Sequence, residues 1–376
     1  MAEEGRHSDN GNPMTDISFA WYLPVEGDGH HLGTYMPERM PTLDYLRQVI
    51  RAAETAGFAE ILIPTGTSND SFSASAPMIE SWTIASALAP ATEDIRLLVA
   101  VNPSCHKPGA FARQAATLDQ LSGGRISVNL VAGGSAANPE ERALDHEARY
   151  TRLGEFAQVV RSMWTNTATS FKGTFYNLEG ALAQPKPLQD GGIPLYLGGA
   201  SEQARDLAAR YISTYLMWGE PPAAIAERIA DMKARASRYD RTLRYGLRIH
   251  LILGDTTAEA RASAAELLRL ADPRVEDDRQ REFDNFDSIG QARMLDVAAG
   301  EDDWVSDVLW AGIRRVRGGA GTALVGTPER VAEALAEYVE AGVSYFILSG
   351  YPHLEEAERV GRLVLPLAGR VPTPAG

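Results

Sequence analysis

Short apolar runs of strand length alternate with longer amphipathic segments along most of this chain. Such alternation predicts a parallel sheet, because each helical crossover returns the chain to the same edge of the sheet. The predicted strands are residues 17–23, 60–63, 95–101, 126–131, 195–197, 214–217, 245–253 and 345–348. About eight strand–helix repeats favour a closed (β/α)8 TIM barrel, of the α/β class, over an open doubly wound sheet.

Two stretches interrupt the alternation. Residues 167–192 carry Gly and Pro with short aromatic runs, which predicts a hairpin-containing insertion before the fifth strand. Residues 271–316 are charged, poor in β-forming residues and too long for an ordinary connection, which predicts a mobile active-site lid. An extra surface helix over 280–299 is the alternative interpretation of this segment. We expect one barrel domain over residues 17–370, between a disordered tail at 1–16 and a short tail at 371–376.

The charge balance excludes several classes of partner. The chain has 36 Lys and Arg against 50 Asp and Glu, a net charge of −14, and the acidic residues are spread along it. This distribution argues against nucleic acid or an anionic membrane as a partner. No apolar run approaches the ~18 residues of a transmembrane helix, and residues 1–16 lack the apolar core of a signal peptide. The single cysteine, Cys105, fits a reducing compartment, so we expect a cytoplasmic protein.

A candidate anion site follows the strands near the end of the chain. Arg248 and His250 lie two residues apart on a predicted strand, so both side chains point to one face, the barrel interior. A buried arginine is costly without an anion or a polar partner, which makes Arg248 a candidate ligand-binding residue. A structural salt bridge to a barrel carboxylate is the alternative. No motif predicts a metal site.

Three further residues extend this candidate site. Arg317 precedes the small residues 318–321, whose backbone can approach a tetrahedral anion closely, although such a cluster is more often a tight turn. Tyr351 follows the last strand and can donate to a ligand oxygen, or it is an ordinary rim aromatic. Trp218 is either a core residue or the wall of a pocket.

A second candidate anion site begins a helix. Residues 198–201, Gly-Gly-Ala-Ser, end a strand and precede a predicted helix at 202–211. A helix N-terminus offers free amides and a favourable dipole to a phosphate. Simple N-capping by Ser201 is the alternative, and it is compatible with phosphate binding.

The motifs in combination resemble the two-component, reduced-flavin-dependent alkanesulfonate monooxygenases of the bacterial luciferase-like superfamily. The resemblance rests on residues 218–222 (WGEPP), 248–250 (RIH), 317–326 (RGGAGTALVG) and 348–356 (LSGYPHLEE), in the same order and at similar spacing within 19–367. It implies a TIM barrel that uses FMNH2 (FMN) and O2 to cleave the C–S bond of an organosulfonate, which releases sulfite and an aldehyde. It also implies a separate NAD(P)H-dependent flavin reductase as a partner and a homo-oligomer, either a dimer or a tetramer.

The resemblance also assigns roles to residues. Arg248, His250 and Arg317 would bind the sulfonate, Tyr351 would donate a hydrogen bond, and Trp218 would line the pocket. Either His250 or an arginine of lowered pKa could take the proton from the α-carbon. The flavin would contact Asn129, Ala132, Gly133, Tyr150, Ala200 and Ser201.

Three positions depart from the pattern of the alkanesulfonate enzymes. Asn69 stands where these enzymes typically have a cysteine, Glu26 where they have a histidine, and Asn102 where they have an arginine. Hydrogen-bonding groups at these three positions of the substrate site favour a hydroxylated sulfonate, such as the sulfosugar sulfoquinovose, over a plain alkanesulfonate. Three other functions remain alternatives: a deazaflavin-dependent alcohol oxidation, cleavage of an uncharged sulfone, and a non-catalytic flavin- or sulfonate-binding barrel.

Overall fold

The computed structural model describes residues 17–133, 143–284, 288–297 and 303–369, so the predicted tails at 1–16 and 371–376 lie outside the described residues. Its strands are β1 (Ser18–Tyr22), β2 (Glu60–Ile63), β3 (Arg96–Val101), β4 (Ile126–Leu130), β5 (Thr169–Lys172), β6 (Asn177–Ala181), β7 (Leu195–Gly198), β8 (Thr214–Trp218), β9 (Arg244–Leu253), β10 (Leu309–Trp310), β11 (Ala323–Gly326) and β12 (Tyr345–Ser349).

Eight of these strands form a closed parallel barrel. Their order is β1-β2-β3-β4-β7-β8-β9-β12, and β12 pairs with β1 to complete the ring. Each of the eight strands overlaps a predicted apolar run, so the (β/α)8 prediction is confirmed.

Strand β9 is longer than its neighbours and extends beyond the ring. Its first half pairs with β8 and β12, whereas residues 250–253 pair in parallel with β11. Strand β10 then pairs with β11 in the antiparallel direction. Strand β11 was not predicted, because it is only four residues long and follows a glycine-rich segment.

Helices connect the barrel strands and cover the outside of the ring. They are α1 (Leu43–Thr55), α2 (Ser81–Leu88), α3 (Pro108–Ser122), α4 (His146–Thr165), α5 (Glu202–Tyr211), α6 (Pro222–Ser237), α7 (Thr257–Leu267), α8 (Pro273–Asp284), α9 (Ile289–Asp296), α10 (Pro328–Glu340), α11 (His353–Leu363) and α12 (Leu365–Ala368). Short 3-10 helices lie at Ala89–Ala91 and Gly312–Arg315. No helix in the described ranges is long and apolar enough to cross a membrane.

Alternation along each strand divides the core into two parts. In β1, Ala20 and Tyr22 point into the barrel, where they pack with Leu98 and Tyr345. Trp21 points outward and packs against the helices. This period of two places Tyr22, the last residue of β1, at the carboxyl end of the barrel interior.

The two interruptions of the alternation have their own structure. Within residues 167–192, β5 and β6 form an antiparallel hairpin. Within residues 271–316, the structure has two helices, α8 and α9, followed by β10 and a 3-10 helix.

Candidate active site

Two adjoining cavities lie at the carboxyl ends of the barrel strands. Their volumes are about 250 and 220 Å³, and Val131, Gly133 and Trp218 line both of them. Trp218, the last residue of β8, is therefore a wall that the two cavities share. Together the cavities have the size of an ordinary small-molecule site, ~300–1,000 Å³, at the end of the barrel where such enzymes bind their ligands.

The larger cavity brings together the residues predicted to contact a flavin. The Oδ1 atom of Asn129 is buried there and has no hydrogen-bond partner among the described residues, so an acceptor is available to a ligand. Ser201 caps α5, because its Oγ accepts a hydrogen bond from the Ala204 amide at 3.2 Å. A Cβ atom at Gly199 would lie 2.6 Å from that of Ala204, so only glycine fits this approach. All six predicted flavin contacts line this cavity, namely Asn129, Ala132, Gly133, Tyr150, Ala200 and Ser201.

Three basic residues of the larger cavity were not predicted from the sequence. His146 and Arg149 lie on the first turn of α4, and Arg228 lies on α6. His146, Arg149 and Tyr150 have the i, i+3, i+4 spacing that places side chains on one helix face, and this signal could have revealed them. Glu220 also lines the cavity and forms an ion pair with Arg228 at 2.9 Å.

The segment that was predicted to be a lid lines the smaller cavity. Phe283 of α8 and Gln291 of α9 line it, opposite Asp70 and Asn102. The Gln291 Oε1 atom accepts a hydrogen bond from the Gly319 amide at 3.0 Å, which joins α9 to the glycine-rich segment. The two helices therefore form one wall of the candidate site.

Arg248 is buried without an ion-pair partner among the described residues. The residue is 5% exposed, and Nη1 donates to the Ile249 carbonyl oxygen at 3.0 Å. Its guanidinium carbon lies 4.6 Å from the centroid of the Tyr22 ring. Burial, followed by repulsion from Arg317, lowers the pKa of Arg248 to about 10. Among the described residues, Arg248 therefore does not form the structural salt bridge that was the alternative prediction. Its side chain lines the larger cavity.

Arg317, in contrast to Arg248, is buried with an acidic partner. Its Nη2 donates to the Tyr22 hydroxyl at 2.7 Å and to Glu26 Oε1 at 3.1 Å, and its Nε donates to Ser71 Oγ at 3.0 Å. Burial alone would lower the pKa of Arg317, but attraction to Tyr22, Tyr351 and acidic neighbours raises it well above its ordinary value. Arg317 is thus a cation that Glu26 already neutralises.

His250 and Tyr351 lie stacked beside the two arginines. The ring centroids are 5.5 Å apart. His250 Nε2 donates to the Ala320 carbonyl oxygen at 2.9 Å, and its Nδ1 accepts from the Ser349 hydroxyl at 2.7 Å. Burial and the nearby Arg248 lower the pKa of His250 well below its ordinary value, so the imidazole is neutral. Burial raises the pKa of Tyr351 to about 12, so its hydroxyl remains a donor.

Comparison with known proteins identifies the family. The family model described as luciferase-like monooxygenase matches residues 17–345. The chain belongs to the luciferase-like monooxygenase family. Family membership confirms the superfamily part of the predicted resemblance, whereas the alkanesulfonate branch stays a prediction.

Several solved structures of other proteins are similar to this luciferase-like barrel. A riboflavin lyase (RcaE), determined with modified FMN and riboflavin, shares 21% identity at a TM-score of 0.77, over 96% of this chain and 94% of that one. The EDTA monooxygenase (EmoA) from Chelativorans sp. BNC1 shares 22% identity at a TM-score of 0.76, over 96% and 95%. A long-chain alkane monooxygenase (LadA) shares 18% identity at a TM-score of 0.74, over 93% and 90%. At these identities the similarity shows the fold.

The three departures from the alkanesulfonate pattern have different environments in this luciferase-like enzyme. Asn69 donates to the backbone of Glu26 and Pro77 at 2.7 and 3.0 Å and accepts from the Ser71 and Phe72 amides at 3.0 and 2.9 Å. Its amide is thus satisfied within the protein, and the predicted contact of Asn69 with a substrate stays a prediction.

Asn102 and Glu26 retain more of the predicted role. Asn102 lines the smaller cavity, and its Oδ1 accepts hydrogen bonds from the amide and hydroxyl of Ser104. Glu26 keeps one buried carboxylate oxygen, Oε2, without a hydrogen bond to any described residue. Of the three residues, Glu26 therefore has the clearest means of accepting a hydrogen bond from a ligand. Tyr22, which contacts Glu26 and both arginines, was not singled out from the sequence.

Proposed function

We propose that this protein is a two-component monooxygenase that uses FMNH2 and O2 to cleave the C–S bond of an organosulfonate. One oxygen atom of O2 enters the carbon product, an aldehyde, and the other leaves as water. Sulfite departs with the electron pair of the C–S bond, and the α-carbon loses one proton. Reduced FMN, when bound, would supply the two electrons that this reaction consumes.

The larger cavity fits a flavin. The Asn129 oxygen offers an acceptor to a ring N–H, and the N-terminus of α5 offers amides and a dipole to the phosphate. Trp218 offers an aromatic surface at the boundary of the two cavities. The similar riboflavin lyase was determined with modified FMN, which supports a flavin in this cavity.

The environment of Arg248 carries the proposal of an anionic substrate. A guanidinium with no ion-pair partner in the described ranges, held at the wall of a cavity, is costly to bury unless a ligand anion offsets it. A sulfonate supplies three acceptor oxygens and a full negative charge. Neither a sulfone nor an alcohol would offset the Arg248 charge in this way, so these two alternatives fit less well.

The other residues of the site receive narrower roles. Tyr351 keeps its proton and would donate to a ligand oxygen. Both ring nitrogens of His250 are used within the protein, so it would hold Tyr351 in place and would not bind the sulfonate directly. Neither candidate for the α-carbon proton has a free lone pair, because Arg248 with a pKa of about 10 is the cation that binds the anion and His250 Nδ1 accepts from Ser349.

Sulfite release provides the direct test. The protein is supplied with FMN, NADH and a flavin reductase, and sulfite is measured over a panel of alkanesulfonates, taurine and sulfoquinovose. Sulfite from at least one sulfonate, dependent on both reductase and O2, is expected. Absence of sulfite with every sulfonate would exclude the proposed reaction and would favour a sulfone, an alcohol or a binding-only role.

Two measurements extend this test to the flavin and the lid. Because a separate reductase must deliver the flavin, FMNH2 should bind more tightly than FMN in anaerobic and aerobic fluorescence titrations; the reverse order would argue against a two-component enzyme. Helices α8 and α9 should gain hydrogen-exchange protection only when flavin and sulfonate are both bound, because the reaction must exclude water. Unchanged protection would make this segment a fixed wall. We further propose cytoplasmic location and assembly into dimers or tetramers.

A further inference from the structure

Two buried hydrogen-bonding atoms beside the Tyr22 ring have no partner among the described residues. They are Oε2 of Glu26 and Nη2 of Arg248, in residues that are 3% and 5% exposed. One atom is an acceptor and the other a donor. Buried polar groups of native proteins are nearly always hydrogen-bonded, so a pair of opposite kind in one place indicates a missing ligand with both a donor and an anionic acceptor.

The cluster borders both cavities, directly through Arg248 and indirectly through Ser71 and Asp70. Arg248 lines the larger cavity. The Ser71 hydroxyl lies 3.2 Å from Glu26 Oε1 and 3.3 Å from Asp70 Oδ1, and Asp70 lines the smaller cavity. Glu26 is thus one side chain behind the cavity wall.

The Glu26 carboxylate also limits what Arg317 can bind. The Oε1 atom accepts hydrogen bonds from Tyr22 at 2.6 Å and from Arg317 at 3.1 Å. An incoming anion therefore meets one free guanidinium, that of Arg248, and one that is already paired. A second anionic contact is disfavoured by the carboxylate, whereas a hydrogen-bond donor is favoured by it.

We propose that Glu26 is a specificity-determining residue that accepts a hydrogen bond from a hydroxyl or ammonium group beside the anionic head of the substrate, while Arg248 binds that head. This inference rests on the proposed function, because it takes the head group to be a sulfonate. It narrows the substrate class to sulfonates with a donor close to the sulfur. Plain alkyl chains leave Glu26 Oε2 unsatisfied and are selected against.

An isosteric series of ligands tests this role by equilibrium binding. Titration calorimetry on the full-length protein compares 1-propanesulfonate, 2-hydroxyethanesulfonate and 2-aminoethanesulfonate, which differ only in a methyl, hydroxyl or ammonium group. Wild type should bind the hydroxyl or the ammonium compound at least about tenfold more tightly than propanesulfonate, as a charge-assisted hydrogen bond does. The tighter of the two identifies the donor as neutral or cationic.

The variant Glu26→Gln keeps the shape of the side chain and removes its charge. It should reduce the preference to within about twofold and bind propanesulfonate more tightly than wild type does, because Arg317 is no longer neutralised. Thermal unfolding checks that the variant folds. If it does not, the wild-type series decides, and a preference below about twofold overturns the inference.

The outcomes separate this inference from the proposed function. An equal preference in wild type and in Glu26→Gln, with sulfite still released, overturns the role of Glu26 alone. Sulfite release from larger sulfonates without binding of any of the three small ones overturns it as well. If no sulfonate binds and none releases sulfite, the proposed function is overturned, and the inference with it.

Discussion

Two clusters with the same kinds of side chain lie at opposite ends of the barrel. At the amino end, Tyr345 donates to Glu60 at 2.5 Å, and the Arg244 guanidinium lies 4.9 Å from the Tyr345 ring centroid. At the carboxyl end, Tyr22 donates to Glu26 at 2.6 Å, and the Arg248 guanidinium lies 4.6 Å from the Tyr22 ring centroid. The local chemistry is nearly the same.

The two clusters differ in the hydrogen-bond partners of their arginines. Arg244 at the amino end is partly exposed and donates to Ser18 Oγ at 2.7 Å and to the Ser344 carbonyl oxygen. Glu60 Oε1 has no hydrogen bond to a described residue, but it lies 3.9 Å from the Arg96 Nε atom. At the carboxyl end, Arg248 Nη2 and Glu26 Oε2 have no partner in the described ranges, and cavities lie beside them. The same residue types therefore stabilise the fold at one end of the barrel and form a candidate binding site at the other.

The largest expected effect concerns the carboxyl-end ion pair. Arg317→Met should lower the free energy of unfolding by about 3–5 kcal/mol, because it leaves the buried Glu26 carboxylate unpaired. The double variant Glu26→Gln/Arg317→Met should regain most of this loss. Urea unfolding measures both. Equal stabilities of the single and double variants would show that Glu26 and Arg317 are not energetically coupled.

Arg248→Met should separate activity from stability. It removes the proposed anion contact and should lower kcat/KM for sulfite release by about 100-fold, as the loss of a strong charged hydrogen bond does. The free energy of unfolding should not fall, because Arg248 has no ion-pair partner among the described residues that the substitution would leave unpaired. A kcat/KM within about threefold of wild type would remove Arg248 from the substrate site.

Matched tyrosine variants test the comparison itself. Tyr345→Phe removes the donor to Glu60 and should cost about 1–3 kcal/mol of stability while leaving kcat/KM unchanged. Tyr22→Phe removes the donor to Glu26 and should cost a similar amount and also reduce kcat/KM. If Tyr345→Phe reduced kcat/KM as much as Tyr22→Phe, the functional difference between the two ends would be contradicted.

The smallest expected effect is a pH dependence of anion binding. Anion binding requires the Arg248 cation, whose pKa is about 10, so it weakens as the pH rises through that value. Affinity for a sulfonate should fall about fourfold between pH 8 and about pH 10.5. The free energy of unfolding changes in the opposite direction: it rises with pH in this range, because the unfolded chain, in which this arginine has its ordinary pKa, binds more protons than the folded chain. Calorimetric titrations of the wild type over this pH range measure the effect. Arg248→Met is the control, and its affinity should not change with pH in this range.

Particular residues show how far the fold could be predicted. The eight barrel strands follow from apolar runs, since each strand of a parallel barrel is buried on both faces. The amphipathic pattern of helix α4 becomes recognisable in the sequence only from residue 155, whereas the helix begins at His146 behind the Asp145 cap. Its first turn is polar because His146, Arg149 and Tyr150 face a cavity, so it lacks the apolar periodicity of a packed helix. Functional sites are where such local rules fail.

The sequence by itself determined the barrel, the end of the barrel that carries the site and the inward direction of Arg248 and His250, because periodicity and strand polarity are local properties. The tertiary structure decided which arginine is free. Glu26 is 291 residues from Arg317 in the chain and 3.1 Å away in space. Hydrogen bonds and ion pairs act over a few ångströms, so only the folded arrangement shows that Arg317 is neutralised, that both nitrogens of His250 are used, and that Arg248 keeps a free donor.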